Sequence, residues 1–198
     1  KIEEASNAGN DITFSALTFK QEDIGQTYYY QILEVDSKQP GYTYDSTVYD
    51  LSISIKDNDD GTLTAEQTLT KAGEAVTQIE FENNYQATGE TTVTASKTLS
   101  GKAIKEGQFG FELLLIDSEL SDTVLTGNDE SAVVSLTARN DAEGKVVFPS
   151  LTFDQDDAGK SFIYLVREIN EQIGGYTYDD RSYTILVTVE DNGDGTLN

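Results

Sequence analysis

The stretch YYYQILEVD at residues 28–36 has the alternating pattern of a β-strand, in which successive side chains point to opposite sides. One face of this predicted strand carries Tyr28, Tyr30, Ile32 and Glu34. A carboxylate therefore ends an otherwise apolar row. Because a buried carboxylate is costly unless it is paired or neutralised, Glu34 is either a strand-end residue in solvent or a group with a role in the core.

An internal repeat places the same pattern in a second copy. GYTYD at 41–45 recurs 134 residues later, at 175–179. In one gapless register, residues 12–63 are identical to residues 146–197 at 21 of 52 positions, which is too many for chance. Because the sequence has 198 residues, we expect fewer than two complete units. The first copy would lack its opening and the second its last strand or two.

The segments between the turns predict an all-β fold. Strand-length apolar or alternating runs recur between Gly, Asp and Asn turns, and no long segment has a 3.6-residue period. This pattern favours tandem immunoglobulin-like β-sandwich domains. We expect a first domain at 1–86 without its N-terminal part, a polar, Gly-containing linker at 87–90, and a second domain at 91–198 without its C-terminal strand or strands.

The composition argues against several classes of function. The sequence has no Cys, His, Trp or Met, which removes Cys and His nucleophiles, the Ser-His-Asp triad and the soft metal ligands. We therefore expect no turnover enzyme, no metal and no cofactor.

The net charge of -23 repels nucleic acid and anionic membranes, and no apolar run approaches the ~20 residues of a membrane span. Neither nucleic acid nor membrane is an expected partner of this segment. An acidic composition without Cys favours an extracellular, surface-displayed bacterial protein.

Three kinds of polar residue fall on inward faces of predicted strands. Glu168 in SFIYLVRE repeats Glu34 at the same spacing, Lys97 interrupts the inward row of TVTASKTL, and Asn83 interrupts that of QIEFENNY. Each alone is ordinarily a rim residue or half of a buried ion pair. Together they supply an amine nucleophile, a carboxyl acid-base group and an electrophilic carboxamide, which are the reagents for joining Lys to Asn with loss of ammonia.

The chemistry of such a reaction suits an apolar core. Burial favours a neutral amine beside a protonated carboxylic acid, and neutral amines attack. The carboxyl group can hydrogen-bond to the amide oxygen as negative charge develops, and it can pass protons to the departing ammonia. Rigid placement adds a high effective molarity. The product would crosslink the chain without sulfur.

With these residues placed, the sequence resembles the isopeptide-linkage domains of Gram-positive major pilins and long surface adhesins, over nearly its whole length. The resemblance rests, in order, on GQTYYYQILE and GKSFIYLVRE, GYTYD, DNDDGTL, FENNY, and TVTASKTLSG with the following GQFGFEL. It implies CnaB-type sandwiches in which a first-strand Lys bonds to the Asn of a final F-x-N motif and a Glu catalyses the step. By position, Lys97 and Asn83 are the implied isopeptide-bond residues, and Glu34 and Glu168 the implied catalytic acid-base groups.

The match to this pattern is incomplete in each copy. The first copy has Glu34 and Asn83 but no first-strand Lys, and the second has Lys97 and Glu168 but no terminal Asn. Three explanations stay open: a fragment of a longer repeat protein, a composite domain that uses Asn83 and Lys97 across the repeat boundary, or two chains that complement each other by strand exchange.

The acidic DNDDGTL motif at 57–63 suggests calcium, but its spacing does not fit an EF-hand. With Gly61 at loop position 6, Lys56 and Gln67 would occupy positions that require acidic ligands. A hairpin turn that uses Asp-Gly is the favoured interpretation.

These observations predict a structural stalk or pilus-backbone segment of a cell wall-anchored bacterial surface protein or pilus. Its expected partners are neighbouring repeats of the same protein, and its expected chemistry is a single-turnover self-reaction. The alternative is an adhesin module that binds a host protein or glycan on a concave aromatic or charged patch. A hydrolase with paired carboxylates would need two acids in one cleft, whereas each repeat has one inward Glu.

Overall fold

The computed structural model of the chain describes residues 3–117 and 134–198. Contacts divide it into two compact units. The first comprises the chain up to Asp36 together with Tyr44–Asn83, and the second comprises Ser37–Thr43 together with Asn84–Asn198. The predicted linker at 87–90 lies inside the second unit, and its last two residues begin a strand. The predicted domain boundaries stay predictions.

The first unit is built on an antiparallel sheet. Its elements, numbered in chain order through both units, are β1 (Asn7–Ala8), β2 (Asp11–Ile12), a 3-10 helix (Gln21–Asp23), β3 (Thr27–Leu33), β5 (Val48–Asp57), β6 (Leu63–Lys71) and β7 (Glu74–Ala75). Four of these strands form the sheet, in the order β3-β5-β6-β7. Alternate residues of β3 are partly buried, as its sequence pattern predicts. The buried centre of the unit comes from β5, through Tyr49, Ile53 and Ile55.

The second unit contains a larger set of antiparallel strands. Its elements are β4 (Tyr42–Thr43), β8 (Asn84–Tyr85), β9 (Gly89–Thr91), β10 (Thr94–Ser96), β11 (Gly110–Asp117), β12 (Val134–Arg139), β13 (Lys145–Val147), β14 (Leu151–Phe153), a 3-10 helix (Gln155–Asp157), β15 (Ser161–Glu168) and β16 (Ser182–Thr188). Four strands form a sheet in the order β12-β11-β15-β16, and the pairs β10-β13, β14-β9 and β4-β8 complete the arrangement.

An apolar cluster fills the second unit. Phe109, Leu113, Val146 and Phe148 are each no more than 2% exposed. Burial of a side chain of this size stabilises the fold by about 1.5–3 kcal/mol relative to exposure. The inward row of β15 joins the same cluster, so the strand that ends in Glu168 is fixed by packing on one whole face.

The two sequence copies produce the same local structure. The 3-10 helices at Gln21–Asp23 and Gln155–Asp157 are followed by equivalent backbone hydrogen bonds: Gly25 N–H donates to Ile55 O (2.9 Å), and Gly159 N–H donates to Val189 O (2.8 Å). The predicted fold class, an all-β, immunoglobulin-like tandem arrangement, is confirmed. Neither helix in the described residues has the length or the apolar character to span a membrane.

The segment QIEFENNY at 78–85 differs from its prediction as a continuous inward-facing strand. Only β8, at its end, is a strand, and β8 pairs with β4. Ile79 and Phe81 are partly buried, but Asn83 is exposed. No strand within the described residues pairs with 77–83. Side-chain contacts help to hold the segment instead: the Tyr49 hydroxyl donates to Glu80 O (2.8 Å) and accepts from Glu80 N–H (3.1 Å).

Candidate functional site

The second unit holds a buried pair between an amine and a carboxylate. Lys97 directly follows β10, Glu168 is the last residue of β15, and Lys97 Nζ lies 2.8 Å from Glu168 Oε2. The two side chains are only 12% and 2% exposed. Both residues lie on the inward faces that strand alternation predicts, although they are 71 residues apart in sequence.

An aromatic ring covers the amine. Lys97 Nζ lies 4.7 Å from the centroid of the Phe109 ring, and Phe109 is itself 1% exposed. A ring face attracts an ammonium group and excludes water from it. The nucleophile candidate is therefore held between a carboxylate and an apolar surface.

The carboxylate of Glu168 has one fully engaged oxygen and one free oxygen. Oε2 accepts from Lys97 Nζ and from the backbone N–H of Asp179 (2.7 Å). Oε1 is buried and has no hydrogen-bond partner among the described residues. A buried oxygen without a donor loses its hydration without compensation, so this oxygen is placed to receive a further polar group.

In the first unit, Glu34 occupies the repeat position of Glu168, and it contacts the carboxamide of Asn83. Asn83 Nδ2 donates to Glu34 Oε1 (2.6 Å), and Asn83 Oδ1 accepts from the backbone N–H of Asp45 (2.9 Å). Like Glu168 Oε1, Glu34 Oε2 is buried and has no hydrogen-bond partner in the part of the chain that the structure describes. Glu34 is partly buried and Asn83 is exposed, so the predicted inward orientation of Asn83 is not observed. The two residues nevertheless meet.

Asp45 fixes the loop that carries this carboxamide. Its carboxylate accepts from Glu82 N–H (3.0 Å) and from Thr47 N–H (2.7 Å). The Thr47 side chain and these two backbone donors lower the pKa of Asp45 to about 2. In the second unit the matching carboxylate belongs to Asp179, and its pKa is well below the ordinary value because the Arg181 guanidinium pairs with it.

The structure brings the four predicted site residues together in two pairs. Glu168 contacts Lys97 in one unit, and Glu34 contacts Asn83 in the other. Within the described residues, neither unit contains an amine, a carboxyl group and a carboxamide in one cluster. The roles of the four residues stay a prediction, although each contact joins two groups that the proposed reaction needs.

Sequence reasoning did not identify the backbone N–H groups of Asp45 and Asp179 or the Phe109 ring as parts of these clusters. The available signal was the GYTYD repeat, whose final Asp occupies the same position in both copies.

In both acidic turns, an aspartate side chain accepts hydrogen bonds from a threonine two residues later in the same turn. In the DNDDGTL turn between β5 and β6, Asp60 accepts from the N–H (3.0 Å) and the hydroxyl (2.6 Å) of Thr62. Asp194 accepts in the same way from Thr196 in the second copy. Over residues 3–117 and 134–198, no three acidic side chains gather in a geometry suited to a metal ion.

A buried lysine–glutamate pair in one unit and a glutamate-bound carboxamide in the other lie within an all-β, tandem immunoglobulin-like fold. The FctA family model, described as the Spy0128-like isopeptide containing domain, matches residues 1–86 and 93–198. The chain belongs to this family, which confirms the resemblance noted in the sequence.

Two solved structures are similar to the chain. The crystal structure of the major pilin from Streptococcus pyogenes is 21% identical, covers 93% of this chain and 70% of its own, and has a TM-score of 0.37. An asparagine-to-alanine mutant of that pilin is 20% identical, covers 91% of this chain and 69% of its own, and has a TM-score of 0.36. No curated protein matches the chain.

Proposed function

We propose that the chain is a structural segment of a pilus or stalk on the surface of a Gram-positive bacterium, and that Lys-Asn isopeptide bonds lock its units. The observation that carries this proposal is the buried contact between Lys97 and Glu168. Taking two charges out of water is costly, and a well-packed apolar pair would fill the same space. A reactive role explains why an amine and an acid lie there.

The reaction uses the groups in each pair. The carboxylate takes a proton from the lysine ammonium, and the neutral amine attacks the carbonyl carbon of an asparagine side chain. The carboxylic acid passes this proton to the departing nitrogen, and the carboxylate that results takes the second proton that the attacking nitrogen must lose. The new amide bond forms, the old C–N bond breaks, and ammonia leaves with that second proton as an ammonium ion. The glutamate ends unchanged. The reaction occurs once in each unit, so the protein is not a turnover enzyme.

Each unit supplies two of the three reagents among its described residues. Lys97 and Glu168 need a carboxamide, and Asn83 and Glu34 need an amine. One buried oxygen of Glu34 and one of Glu168 have no hydrogen-bond partner among the described residues, which supports the binding of a third group at each glutamate. We propose that a further strand, from elsewhere in the protein or from a second chain, carries it. Neighbouring repeats are therefore the proposed partners.

The proposed role is mechanical and extracellular, in a cell wall-anchored fibre or stalk. A covalent bond between strands passes tension along the chain instead of through hydrogen bonds. It does so without cysteine, of which the sequence has none.

Intact mass of the full-length protein tests the proposal. Each bond removes one ammonia, so the mass falls by about 17 Da per bond. Proteolytic digestion should then yield branched peptides that contain Lys97 or Asn83. Glu168→Gln and Glu34→Gln should each restore one ammonia to the mass. Glu66→Gln, at a glutamate whose side chain is 53% exposed, is the matched control and should change nothing. An unshifted mass of the wild-type protein would overturn the proposal.

A second candidate role, adhesion, is favoured by one surface. On the outer face of the first unit's sheet, Tyr29 is 80% exposed. It lines a shallow depression with Gln31, Asp50, Thr68 and Thr70. An exposed aromatic ring beside hydroxyl and carboxylate groups suits the apolar and polar faces of a sugar. Binding to a glycan array that Tyr29→Ala abolishes would support this role, and no binding by the wild type would exclude a glycan ligand.

A further inference from the structure

The nitrogen and the oxygen of the Asn83 carboxamide each bind a different residue. Its nitrogen donates to Glu34 Oε1 (2.6 Å), and its oxygen accepts from the backbone N–H of Asp45 (2.9 Å). Glu34 therefore contacts the atom that would leave as ammonia. The atom that would gain negative charge during attack contacts a backbone donor instead of the carboxyl group.

The same backbone donor points at the reactive cluster in the other unit. Asp179 occupies the position of Asp45 in the repeat, and its N–H donates to Glu168 Oε2 (2.7 Å). The acceptor differs between the units because the first cluster contains a carboxamide, whereas the described residues of the second contribute none. Where the amide is present, the N–H binds the amide oxygen, and where it is absent, the N–H binds the glutamate.

We propose that the backbone N–H of the last residue of GYTYD, Asp45 in the first unit and Asp179 in the second, is the oxyanion donor of the isopeptide reaction. This inference rests on the proposed function. When an amine adds to the carboxamide carbon, the electron pair of the C=O bond moves to the oxygen. A fixed N–H donor stabilises that charge without reorganisation. The pair then returns, and the nitrogen leaves as ammonia after it receives a proton from the glutamate.

The Asp45 side chain positions both halves of this contact. Its carboxylate accepts from the N–H of Glu82, the residue before Asn83, and from that of Thr47. One residue thus holds the loop that supplies the donor and the segment that supplies the acceptor. In the second unit the Asp179 carboxylate binds Arg181 instead, through Nε (2.9 Å) and a terminal guanidinium nitrogen (2.6 Å).

An amide-to-ester replacement at Asp45 tests the donor directly, because it removes the N–H and keeps the aspartate side chain. Full-length wild-type protein and its analogue with the α-hydroxy acid of aspartate at position 45 are each assembled by ligation of synthetic segments in denaturant, so that neither has folded before the assay. Refolding is started by dilution, and intact mass follows the loss of ammonia with time. The bond at Asn83 should form about 10²- to 10³-fold more slowly than in wild type. An ester at Ser46 controls for the synthetic change and should react at the wild-type rate.

The outcomes separate this inference from the proposed function. Wild-type protein that never loses ammonia at Asn83 would overturn the reaction itself at this site. Wild-type protein that reacts, together with an Asp45 ester that refolds and reacts at the same rate, would overturn only the oxyanion donor. Refolding is followed separately by tyrosine fluorescence. If the Asp45 ester does not refold, the Asp179 ester makes the same test at Lys97, with slower bond formation supporting the donor and an unchanged rate refuting it.

Discussion

Removal of Lys97 should destabilise the second unit far more than removal of an exposed lysine. Lys97→Met keeps most of the side-chain volume but leaves Glu168, whose side chain is 2% exposed, without its cation. An uncompensated buried charge costs about 3–5 kcal/mol. Because the Lys97 side chain keeps 12% exposure and the Asp179 N–H still binds the carboxylate, we expect about 3 kcal/mol, near the lower end of that range.

The chain contains a matched control for this change. Lys56 pairs with Glu66, but these side chains are 59% and 53% exposed. Lys56→Met should therefore cost less than about 1 kcal/mol. Urea unfolding of the 198-residue chain, followed by circular dichroism, measures both variants. The double variant Lys97→Met/Glu168→Gln should recover most of the lost free energy, because it removes the unpaired charge. Equal costs for Lys97→Met and Lys56→Met would refute the reasoning.

Three further outcomes follow from the described contacts. The pKa of Asp45 falls from 3.8 to about 2 on folding, so its contribution to stability is complete above about pH 4 and is lost as the pH falls towards 2. Asp45→Asn should therefore lose less stability than wild type between pH 5 and pH 2 in acid titrations of the urea midpoint. Gly41→Ala should cost about 1–3 kcal/mol more than Gly25→Ala in thermal unfolding. Both have positive φ, but an added Cβ at Gly41 would lie 2.5 Å from a tyrosine ring carbon, whereas at Gly25 it meets nothing within 4 Å. Tyr49→Phe removes a buried hydroxyl that makes two hydrogen bonds and should cost about 1–2 kcal/mol; Tyr29→Phe, at an 80% exposed site, should leave the urea midpoint unchanged.

Strand alternation predicted the side of the sheet on which Glu168 and Lys97 lie, because one buried face fixes the parity of every residue in a strand. The rows that contain them are packed in the core as expected. The contact between the two residues was not derivable from parity, because it depends on pairing between distant segments. The family resemblance supplied that part.

Asn83 shows where the pattern did not determine the structure. QIEFENNY alternates as a strand does, yet burial needs a second surface to cover the face, and no described strand pairs with 77–83. The contact between Asp45 and Asn83 could not be predicted for another reason. This contact uses the backbone N–H of Asp45, which every residue except proline has, so residue type carries no signal for it.

The separation of 71 residues between Lys97 and Glu168 also bears on when the proposed bond would form relative to folding. Contacts between distant parts of a chain form late in folding, after the cost of closing the loop has been met. Bond formation at Lys97 would then report that β15 has already docked, and a misassembled unit would stay unlinked and open to proteases. The proposed reaction would then crosslink only correctly folded units.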